Sequence, residues 1–277
     1  MRVGLVQMRS GLDPARNVAD ALAMIREAAG QGAALVATPE MTTLVDRKPR
    51  RLVDALPDGD FGDEHGAAFE GTARTLGIHL LVGSMPVVLS RAPRRIANRS
   101  VLYGPEGRVA AYDKIHLFDV DLPTGESWRE SSAYRAGEEA VVARAGAARL
   151  GLSVCYDLRF PALYRRLAQA GADVLCVPAA FTVPTGEAHW EVLLRARAIE
   201  CGAFVLAPAQ GGAHEDGRVT YGRSMVVDPW GRVVACKGDD APGVLMADLD
   251  LAAVGDTRSR VPSLALETAP ILRTYPA

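Results

Sequence analysis

The fold class follows from residues 149–178, which have the sequence RLGLSVCYDLRFPALYRRLAQAGADVLCVP. An apolar run ending at Val154 predicts a strand that leads into Cys155, and a helical pattern extends from about Pro161 to Gly171. A second apolar run at 173–178 predicts another strand. Short strands that alternate with helices are typical of α/β proteins. Side chains at the C-terminal ends of such strands point into the crevice where these proteins bind ligands, so Cys155 is a candidate for chemistry.

The same rhythm continues on both sides of this stretch. Helices are predicted at 14–30, where Asp13 is the cap and Pro14 comes first, at 64–76 and at 187–201. A polar loop at 118–137 has no convincing periodicity. Strands are predicted at 3–8, 34–38, 79–87, 140–145, 149–154, 204–209 and 244–249, with hairpins at 98–103/108–112 and 222–227/232–236. Two halves with one rhythm predict a four-layer α-β-β-α sandwich, with two mixed sheets between outer helices.

Neither a linker nor a low-complexity tract divides the 277 residues. We therefore predict a single domain over 1–277, with a core at about 1–250 and a C-terminal tail at about 251–277. A hydrophobic content of 49% supplies a large core, and a formal net charge of -2 gives no reason to expect a nucleic-acid or membrane partner. Basic residues cluster between Arg47 and Arg51, and such a run is usually a solvated loop.

The four cysteines, at 155, 176, 201 and 236, are far apart and form no CxxC pair. This spacing argues against a zinc knuckle, a redox dithiol or a disulfide framework, and favours reduced thiols. The N-terminus enters a strand-like run directly, without the pattern of a signal peptide, and no apolar stretch is long enough to span a bilayer. A cytoplasmic location is expected.

Two further charged residues also follow strand-like runs. Glu40 ends the run VATPE at 36–40, and Lys114 follows Tyr112 and Asp113. Each could equally be an ordinary surface or capping residue, and Cys155 by itself could be a buried structural cysteine. A thiol near the N-terminus of a helix also feels the positive end of the helix dipole, which would favour thiolate.

Three motifs resemble the nitrilase superfamily of carbon–nitrogen hydrolases: TPE (38–40), DKIHLFD (113–119) and VCYDLRFP (154–161). They occur in the order and approximate spacing of that family's Glu–Lys–Cys triad, and the resemblance extends from Val3 to about Leu249. The stretches TGEAHWEVLLRARAIE (185–200) and YGRSMVVDPWG (221–231) resemble the Nit branch. The second is most similar to deaminated glutathione amidases, whereas the run beginning at Lys114 also occurs in ω-amidases. The loop from Thr124 to Arg135 departs from the family pattern, with Trp128 and Arg129 in place of other residues.

The resemblance implies an amidohydrolase without a cofactor, in which Cys155 is the nucleophile, Glu40 the general base and Lys114 the third catalytic residue. Lys114 would favour the thiolate, and Glu40, with a pKa near the working pH, would act in both half-reactions. The thiol would add to an amide carbonyl, the oxyanion would be held by Lys114 and the backbone N–H of Tyr156, ammonia would leave, and water would hydrolyse the thioester.

Further roles are implied around this triad. Glu130 would orient Lys114 or the substrate amide. Arg159 would bind a substrate carboxylate through two hydrogen bonds, unless it forms a structural salt bridge with Asp157 or with a helix carboxylate. Thr185, in the loop before the helix that begins at Glu187, would add a hydroxyl donor. By analogy with the family, a homodimer or larger homo-oligomer is expected.

Several alternatives remain open on the sequence. The substrate could be a deaminated-glutathione-type amide, or an ω-amide such as α-ketoglutaramate or α-ketosuccinamate. A nitrilase, an N-carbamoyl amidohydrolase or a non-catalytic binding protein are further readings. A papain-like enzyme would pair Cys155 with His189 or His116, and a metal enzyme would use His116, Asp119 and Asp121. No metal is expected.

Overall fold

A computed structural model gives the structure of the chain and describes residues 1–54, 64–91, 94–121, 125, 127–266 and 268–275. The helices are α1 Pro14–Gly30, α2 Pro49–Asp54, α3 Glu64–Leu76, α4 Pro161–Gln169, α5 Val183–Cys201 and α6 Ala252–Arg260, with short 3-10 helices at Glu130–Ser132 and Cys155–Arg159. The strands are β1 Arg2–Gln7, β2 Leu35–Ala37, β3 His79–Arg91, β4 Arg94–Gly104, β5 Gly107–Asp113, β6 Asp119–Asp121, β7 Ser127–Arg129, β8 Val142–Ala145, β9 Ala148–Leu152, β10 Val174–Cys176, β11 Phe204–Ala207, β12 Gly211–Ala213, β13 Val219–Tyr221, β14 Met225–Val227, β15 Val233–Cys236 and β16 Gly243–Asp248.

Two six-stranded mixed sheets form the centre of the protein. The first has the order β16-β1-β2-β3-β4-β5 and the second β15-β14-β11-β10-β9-β8. In each sheet the strands joined through helices pair in parallel, as β1 does with β2 and β9 with β10, while the hairpin strands pair antiparallel. Two small hairpins, β6-β7 and β12-β13, lie outside these sheets.

The alternation of side chains along the strands produces the layers. In the first sheet Leu5 and Leu35 belong to the hydrophobic core shared with the second sheet, whereas Val6 and Val36 pack with residues of α1 and α3. Because successive side chains on a strand point to opposite faces, one apolar strand contributes to both cores. The second sheet is covered by α4 and α5, whose Leu167, Trp190 and Leu194 are buried in the shared core cluster. The predicted α-β-β-α sandwich is therefore confirmed.

Most predicted elements are present with small shifts of their ends. The predicted helix 64–76 matches α3 residue for residue, and α1 begins at Pro14 after Asp13, whose carboxylate accepts from the backbone N–H of Ala15 at 3.0 Å. α5 begins at Val183 rather than Glu187, because Thr182 is its cap and Pro184 is tolerated in a first turn. The predicted strand 79–87 extends further, to Arg91.

Three segments differ from the sequence-based predictions. The loop predicted at 118–137 contains the hairpin β6-β7 and a 3-10 turn, and each of these elements is too short to give a periodic pattern in the sequence. Residues 122–124 and 126 of that loop lie outside the described residues. The predicted tail 251–277 begins with α6, and its residues 267, 276 and 277 lie outside the described part. Helix α2 and the hairpin β12-β13 were not predicted. Among the described helices, none combines the length and the hydropathy that crossing a bilayer requires.

Candidate active site

Three strand ends bring the candidate catalytic residues to one place. Cys155 lies just beyond β9, Glu40 just beyond β2, and Lys114 directly after β5. All three are buried, with exposed fractions of 8%, 4% and 2%, and all three line one cavity. The convergence expected from the three motifs is therefore present in the fold.

The backbone at Cys155, the candidate nucleophile, is unusual. Cys155 has a φ of 49°, in the left-handed region that residues with a Cβ rarely adopt. Its N–H donates to the carbonyl of Pro178, beyond β10, at 2.9 Å. Strain of this kind persists only where surrounding contacts impose it, and it is frequent at active sites. The turn projects the thiol into the cavity instead of continuing the strand.

Gly83 allows the supporting loops to approach each other beneath the site. It lies in the irregular part of β3, between Val82 and Met85. A Cβ at this position would lie 2.0 Å from the carbonyl oxygen of Thr38 and 2.4 Å from the Cβ of Pro178. The segments that lead to Glu40 and to the residues after β10 can therefore meet only over a glycine.

Glu40, Lys114 and Glu130 form what we call the carboxylate–ammonium cluster. The Lys114 ammonium donates to Oε1 of Glu40 at 2.9 Å and to Oε2 and Oε1 of Glu130 at 2.9 and 3.2 Å. Glu130 Oε2 also accepts from the backbone N–H of Phe118 at 2.6 Å. Glu40 Oε2 accepts from the backbone N–H of Ala180 at 3.0 Å. Two carboxylates thus hold one ammonium in a water-poor environment.

Burial, followed by the charge of Glu40, raises the pKa of Cys155 well above its usual value of 9.0, although Lys114 acts in the opposite direction. Burial by itself would raise the pKa of Glu40, but the charge of Lys114, the neighbouring thiol and hydrogen bonds from Lys114 and Asn98 lower it below 4.5. Burial opposes the charge of Lys114, yet Glu130 and Glu40 raise its pKa well above 10.5. The resting site therefore holds a thiol, a carboxylate and an ammonium.

Two electrostatic effects expected from the sequence are outweighed in the structure. Lys114 and a helix N-terminus were expected to favour the thiolate of Cys155, but the helix after it is a five-residue 3-10 turn, and burial and the Glu40 charge outweigh Lys114. The pKa of Glu40 does not lie near neutrality in the empty site, because three donors stabilise its charged form. Glu40 is thus ionised and lines the same cavity as the thiol whose proton it would accept.

Sequence reasoning missed the polar residues that hold these groups in place. Nδ2 of Asn98, on β4, donates to Oε1 of Glu40 at 2.9 Å and to Oε1 of Glu130 at 3.3 Å. Nε2 of Gln210 donates to the carbonyl of Glu40 at 3.0 Å. Asp157, with no exposed surface, accepts from the backbone N–H of Val154 at 2.8 Å and so supports the nucleophile turn. The sequence held little signal for Asn98, since its strand, RRIANRSVLYG, contains several other polar residues.

The cavity has a volume of about 390 Å³, and rings line one side of it. We call Tyr156, Phe118 and Trp128 the aromatic wall. The Phe118 ring lies 5.1 Å from Tyr156 and 6.1 Å from Trp128, centroid to centroid. This wall extends from beside the nucleophile, where Tyr156 follows Cys155 in the chain, out to the hairpin β6-β7.

The two predicted substrate-binding side chains also line the cavity. The Arg159 guanidinium lies 5.8 Å from the Tyr156 ring and 5.4 Å from the Phe181 ring, and its Nη1 is 3.2 Å from Nδ1 of His189. Within the described part of the chain, no carboxylate pairs with Arg159, so the alternative of a salt bridge with Asp157 is not what the structure has. Thr185 lies in the first turn of α5, not in a preceding loop, and its hydroxyl is 2.8 Å from that of Thr182.

The histidines named as rival bases have other partners. Nδ1 of His116 is 2.7 Å from Oδ1 of Asp157, and its ring stacks on Phe160 at 3.5 Å. His189 contacts Arg159. The rival metal ligands are also engaged separately, since Asp121 pairs with Arg129 at 2.9 Å and Asp119 accepts from the N–H of Ser131 at 3.0 Å. These contacts favour Glu40 as the partner of the thiol.

Comparison with known proteins agrees with this geometry. Residues 2–259 match the family described as carbon–nitrogen hydrolase. A deaminated glutathione amidase of Synechocystis is 38% identical over 94% of this chain and 95% of its own length. The chain is also 40% identical to a deaminated glutathione amidase of Yersinia enterocolitica, over 95% of this chain and 91% of that protein.

Solved structures show the same fold. The NitFhit protein of C. elegans superposes with a TM-score of 0.88 at 34% identity, covering 96% of this chain, which spans 64% of that longer protein. An amidase from Nesterenkonia sp. AN1 superposes with a TM-score of 0.76 at 29% identity, over 96% of this chain and 100% of the other. In that structure acrylamide has added to the active-site cysteine.

Proposed function

The chain belongs to the carbon–nitrogen hydrolase family and hydrolyses amides, and we propose that it does so through a thioester on Cys155. The observation that carries this proposal is that the Cys155 thiol and the buried Glu40 carboxylate line one cavity, where the Lys114 ammonium donates to Glu40 at 2.9 Å. A nucleophile, a base in hydrogen-bond reach and a fixed cation are the parts that acyl transfer requires.

The reaction begins with a neutral thiol. As sulfur bonds to the amide carbonyl carbon, Glu40 accepts the thiol proton, and the carbonyl oxygen becomes an oxyanion. Lys114 and the backbone N–H of Tyr156 are the proposed donors to that oxyanion. Lys114 uses its three donors on Glu40 and Glu130, and the longest contact, 3.2 Å to Glu130 Oε1, is the one it would release. Glu130 then still holds the ammonium through its other oxygen.

The carbon–nitrogen bond breaks next. Glu40 returns its proton to the departing nitrogen, which leaves as an amine, and the acyl group remains as a thioester. A water molecule then gives a proton to Glu40 and attacks the thioester, and the tetrahedral adduct collapses to a carboxylic acid and the regenerated thiol. The same carboxylate is used twice, so its position between Cys155 and Lys114 is needed in both halves of the reaction.

The proposed substrate carries a carboxylate on its acyl side. With a neutral thiol, two carboxylates and one ammonium give the cavity floor a net charge of -1, which repels anions. Arg159 supplies a cation on the cavity lining that no described carboxylate neutralises. A planar guanidinium binds a carboxylate through two hydrogen bonds, and Thr185 could add a hydroxyl.

Two amide classes fit an acyl side of this kind: deaminated glutathione, by similarity to the relatives of that name, and small ω-amides of α-keto acids. Glutathione carries cysteinylglycine on its γ-amide nitrogen, so a deaminated glutathione would release that dipeptide. The ammonia release expected from the sequence therefore applies to ω-amides alone. We propose the deaminated-glutathione type as the substrate and the ω-amides as the alternative.

The test is hydrolysis of a substrate panel by the wild-type protein, with product analysis by mass spectrometry. The panel contains deaminated glutathione, α-ketoglutaramate, a neutral primary amide, a nitrile and an N-carbamoyl compound. Acid and free amine from the first compound, with a transient acyl mass on Cys155, would support the proposal. An adduct on Cys176, Cys201 or Cys236, or turnover of none of the amides, would overturn it.

Location and assembly stay predictions. The four cysteines are free thiols, as a reducing cytoplasm would leave them, and Cys176 and Cys201 are buried. We propose a cytoplasmic homo-oligomer. Sedimentation of the purified protein would test its assembly.

A further inference from the structure

The outer end of the aromatic wall carries a second group of cations. Arg47, in the loop before α2, places its guanidinium 4.5 Å from the centre of the Trp128 ring. Arg218, from the turn between β12 and β13, places its own 4.9 Å from the same centre. Both arginines and Trp128 line the cavity that contains Cys155. Three segments far apart in sequence thus meet at this end of the wall.

Two donors at this end have no acceptor among the described residues. Nε1 of Trp128 and Nε of Arg218 are buried and lack a hydrogen-bond partner in the part of the chain that the structure describes. Buried donors in folded proteins are almost always satisfied, by protein, water or ligand. Donors left open on the lining of a cavity therefore point to an acceptor that arrives from outside.

The charges favour an anionic acceptor. Arg51 pairs with Asp46, and Nη2 of Arg218 lies 3.5 Å from Oδ2 of Asp216, an oxygen that itself has no hydrogen-bond partner among the described residues. Arg47 has no carboxylate of the described residues within ion-pair distance. Three guanidinium groups therefore face two carboxylates, which leaves a net positive charge at the outer end.

We propose that Arg47, Trp128 and Arg218 form a second anion subsite, which binds a carboxylate on the leaving-group side of the substrate. We call these three residues the distal subsite; the proposal rests on the proposed amidase function and extends it. Arg159 lies against Tyr156 at one end of the aromatic wall, and the distal subsite lies at the other end. A substrate ionised at both ends and cleaved between them matches this distribution of charge.

The length of the wall sets the kind of leaving group. Phe118 separates Tyr156, next to the nucleophile, from Trp128, and its ring lies 6.1 Å from that of Trp128. An extended dipeptide reaches about 7 Å, so it can cross from the scissile bond toward the distal subsite. If ammonia were the leaving group, the distal subsite would stay empty. The substrate class is therefore a secondary amide whose amine half is a short peptide with a free carboxylate.

The fold around Trp128 explains how this residue reaches the cavity. The hairpin β6-β7 presents this residue to the cavity, while the adjacent Arg129 pairs with Asp121 instead.

The experiment measures binding and turnover separately. The ligands are the γ-amide of 2-oxoglutarate with alanylglycine and the same compound with its C-terminal carboxylate converted to carboxamide. Calorimetry with the Cys155→Ala protein gives the ratio of the dissociation constants of the two ligands. Hydrolysis by the protein that retains Cys155 gives the ratio of their kcat/KM values. The matched series is Arg218→Gln, Arg47→Gln and Trp128→Phe, with Arg26→Gln on the exposed face of α1 as the control.

We expect the carboxylate ligand to bind at least tenfold better, and Arg218→Gln or Arg47→Gln to reduce that ratio to within about twofold of unity. Trp128→Phe keeps a ring but loses the N–H, and should reduce the ratio less. Arg26→Gln should keep it. A ratio that is already near unity in the parent, or that survives both arginine substitutions, overturns the distal subsite. Binding with the expected ratio but no turnover of any amide would instead overturn the proposed function, so the two failures are distinguishable.

Discussion

The carboxylate–ammonium cluster and the aromatic wall occupy one cavity but are built in different ways. In the cluster every charge is matched at hydrogen-bond distance by another buried charge, as between Lys114 and Glu40 at 2.9 Å. Along the wall the arginines lie over rings, and Arg47, over Trp128, has no carboxylate partner among the described residues. The residues of the cluster follow strand ends, whereas the distal subsite at the outer end of the wall comes from a loop and two small hairpins.

This difference separates two tasks. A buried set of opposite charges is held rigidly, because each member would be strongly destabilised without its partners. Such a set suits steps common to every substrate. A guanidinium group that stacks on a ring loses less free energy when it has no ion-pair partner, so it can remain unpaired until an anion binds. Substitutions in the cluster should therefore change kcat for all amides, whereas substitutions along the wall should change the preference among amides.

The largest effect is expected at the nucleophile. Cys155→Ala should lower kcat by at least about 10⁴-fold for every amide, because losing a nucleophile removes the covalent route. Cys155→Ser should also fail, since Glu40 would have to deprotonate a much weaker acid. Circular dichroism should show the wild-type fold in both variants.

Cys176→Ala is the matched control. Cys176 is fully buried in β10, and burial raises its pKa to about 12, but no charged base lies among the causes of that shift. Turnover should persist in this variant. Substantial activity in Cys155→Ala would contradict the assignment and leave the cluster without its proposed use.

Lys114→Met should affect stability and rate together. It would leave Glu40 and Glu130 as two buried carboxylates with no cation between them, which costs about 3–5 kcal/mol of unfolding free energy in comparable pairs. It also removes one proposed oxyanion donor, which is worth about 10²–10³-fold in kcat. Urea unfolding and steady-state kinetics measure the two effects.

The double variant Lys114→Met/Glu130→Gln separates these effects. Removing one carboxylate should restore part of the stability, while the rate should stay low because the ammonium is still absent. A double variant that recovers both stability and rate would show that Lys114 serves only to neutralise Glu130.

Asn98→Ala tests a positioning residue within the cluster. The Nδ2 donor of Asn98 helps to lower the pKa of Glu40. Without it the pKa of Glu40 should rise, so the acid limb of the pH profile of kcat/KM should move to higher pH. A hydrogen bond to a charged group is worth about 1.5–3 kcal/mol, so the rate should fall by roughly tenfold or more. A lower rate with an unmoved acid limb would indicate a purely structural role.

Arg159→Ala should lower kcat/KM by at least about tenfold for amides whose acyl side bears a carboxylate. Arg159→Lys keeps the charge but loses the two-pronged geometry, so it should give an intermediate value. Kinetics with a neutral amide of the same size provide the comparison. An equal loss on the neutral amide would mean that Arg159 supports the wall and does not anchor the substrate.

The smallest effect is the dependence of stability on pH. The pKa of Glu40 is lowered in the folded state, so its stabilising contribution is present above its ordinary value of 4.5 and is lost as the pH falls through the lowered value. The pKa of Cys155 is raised, so its contribution is present below 9.0 and is lost as the pH rises above that value. Urea midpoints of wild type and Cys155→Ala should diverge above pH 9.0; parallel curves there would contradict the raised pKa.

The sequence by itself determined the strand–helix framework and the strand ends that carry Glu40, Lys114 and Cys155. These features are local: apolar runs of a given period and three short motifs decide them without knowledge of distant contacts. The same local basis located α3 to the residue. It failed for the hairpins β6-β7 and β12-β13, whose three-residue strands are too short for a period to show.

Only the tertiary structure decided how the cavity is charged. Lys114 meets Glu40 across 74 positions of sequence, and Asn98 meets Glu40 across 58. The directions of the pKa shifts follow from these distances and from burial, neither of which a linear pattern contains. The expected effect of Lys114 on the thiol is present but is outweighed for that reason, since desolvation and Glu40 together raise the pKa of Cys155 more than Lys114 lowers it. Likewise, Arg47, Trp128 and Arg218 become neighbours only when a loop and two hairpins fold against the same cavity. Electrostatic interaction depends on separation in space, so the sequence by itself could not predict this group of charges.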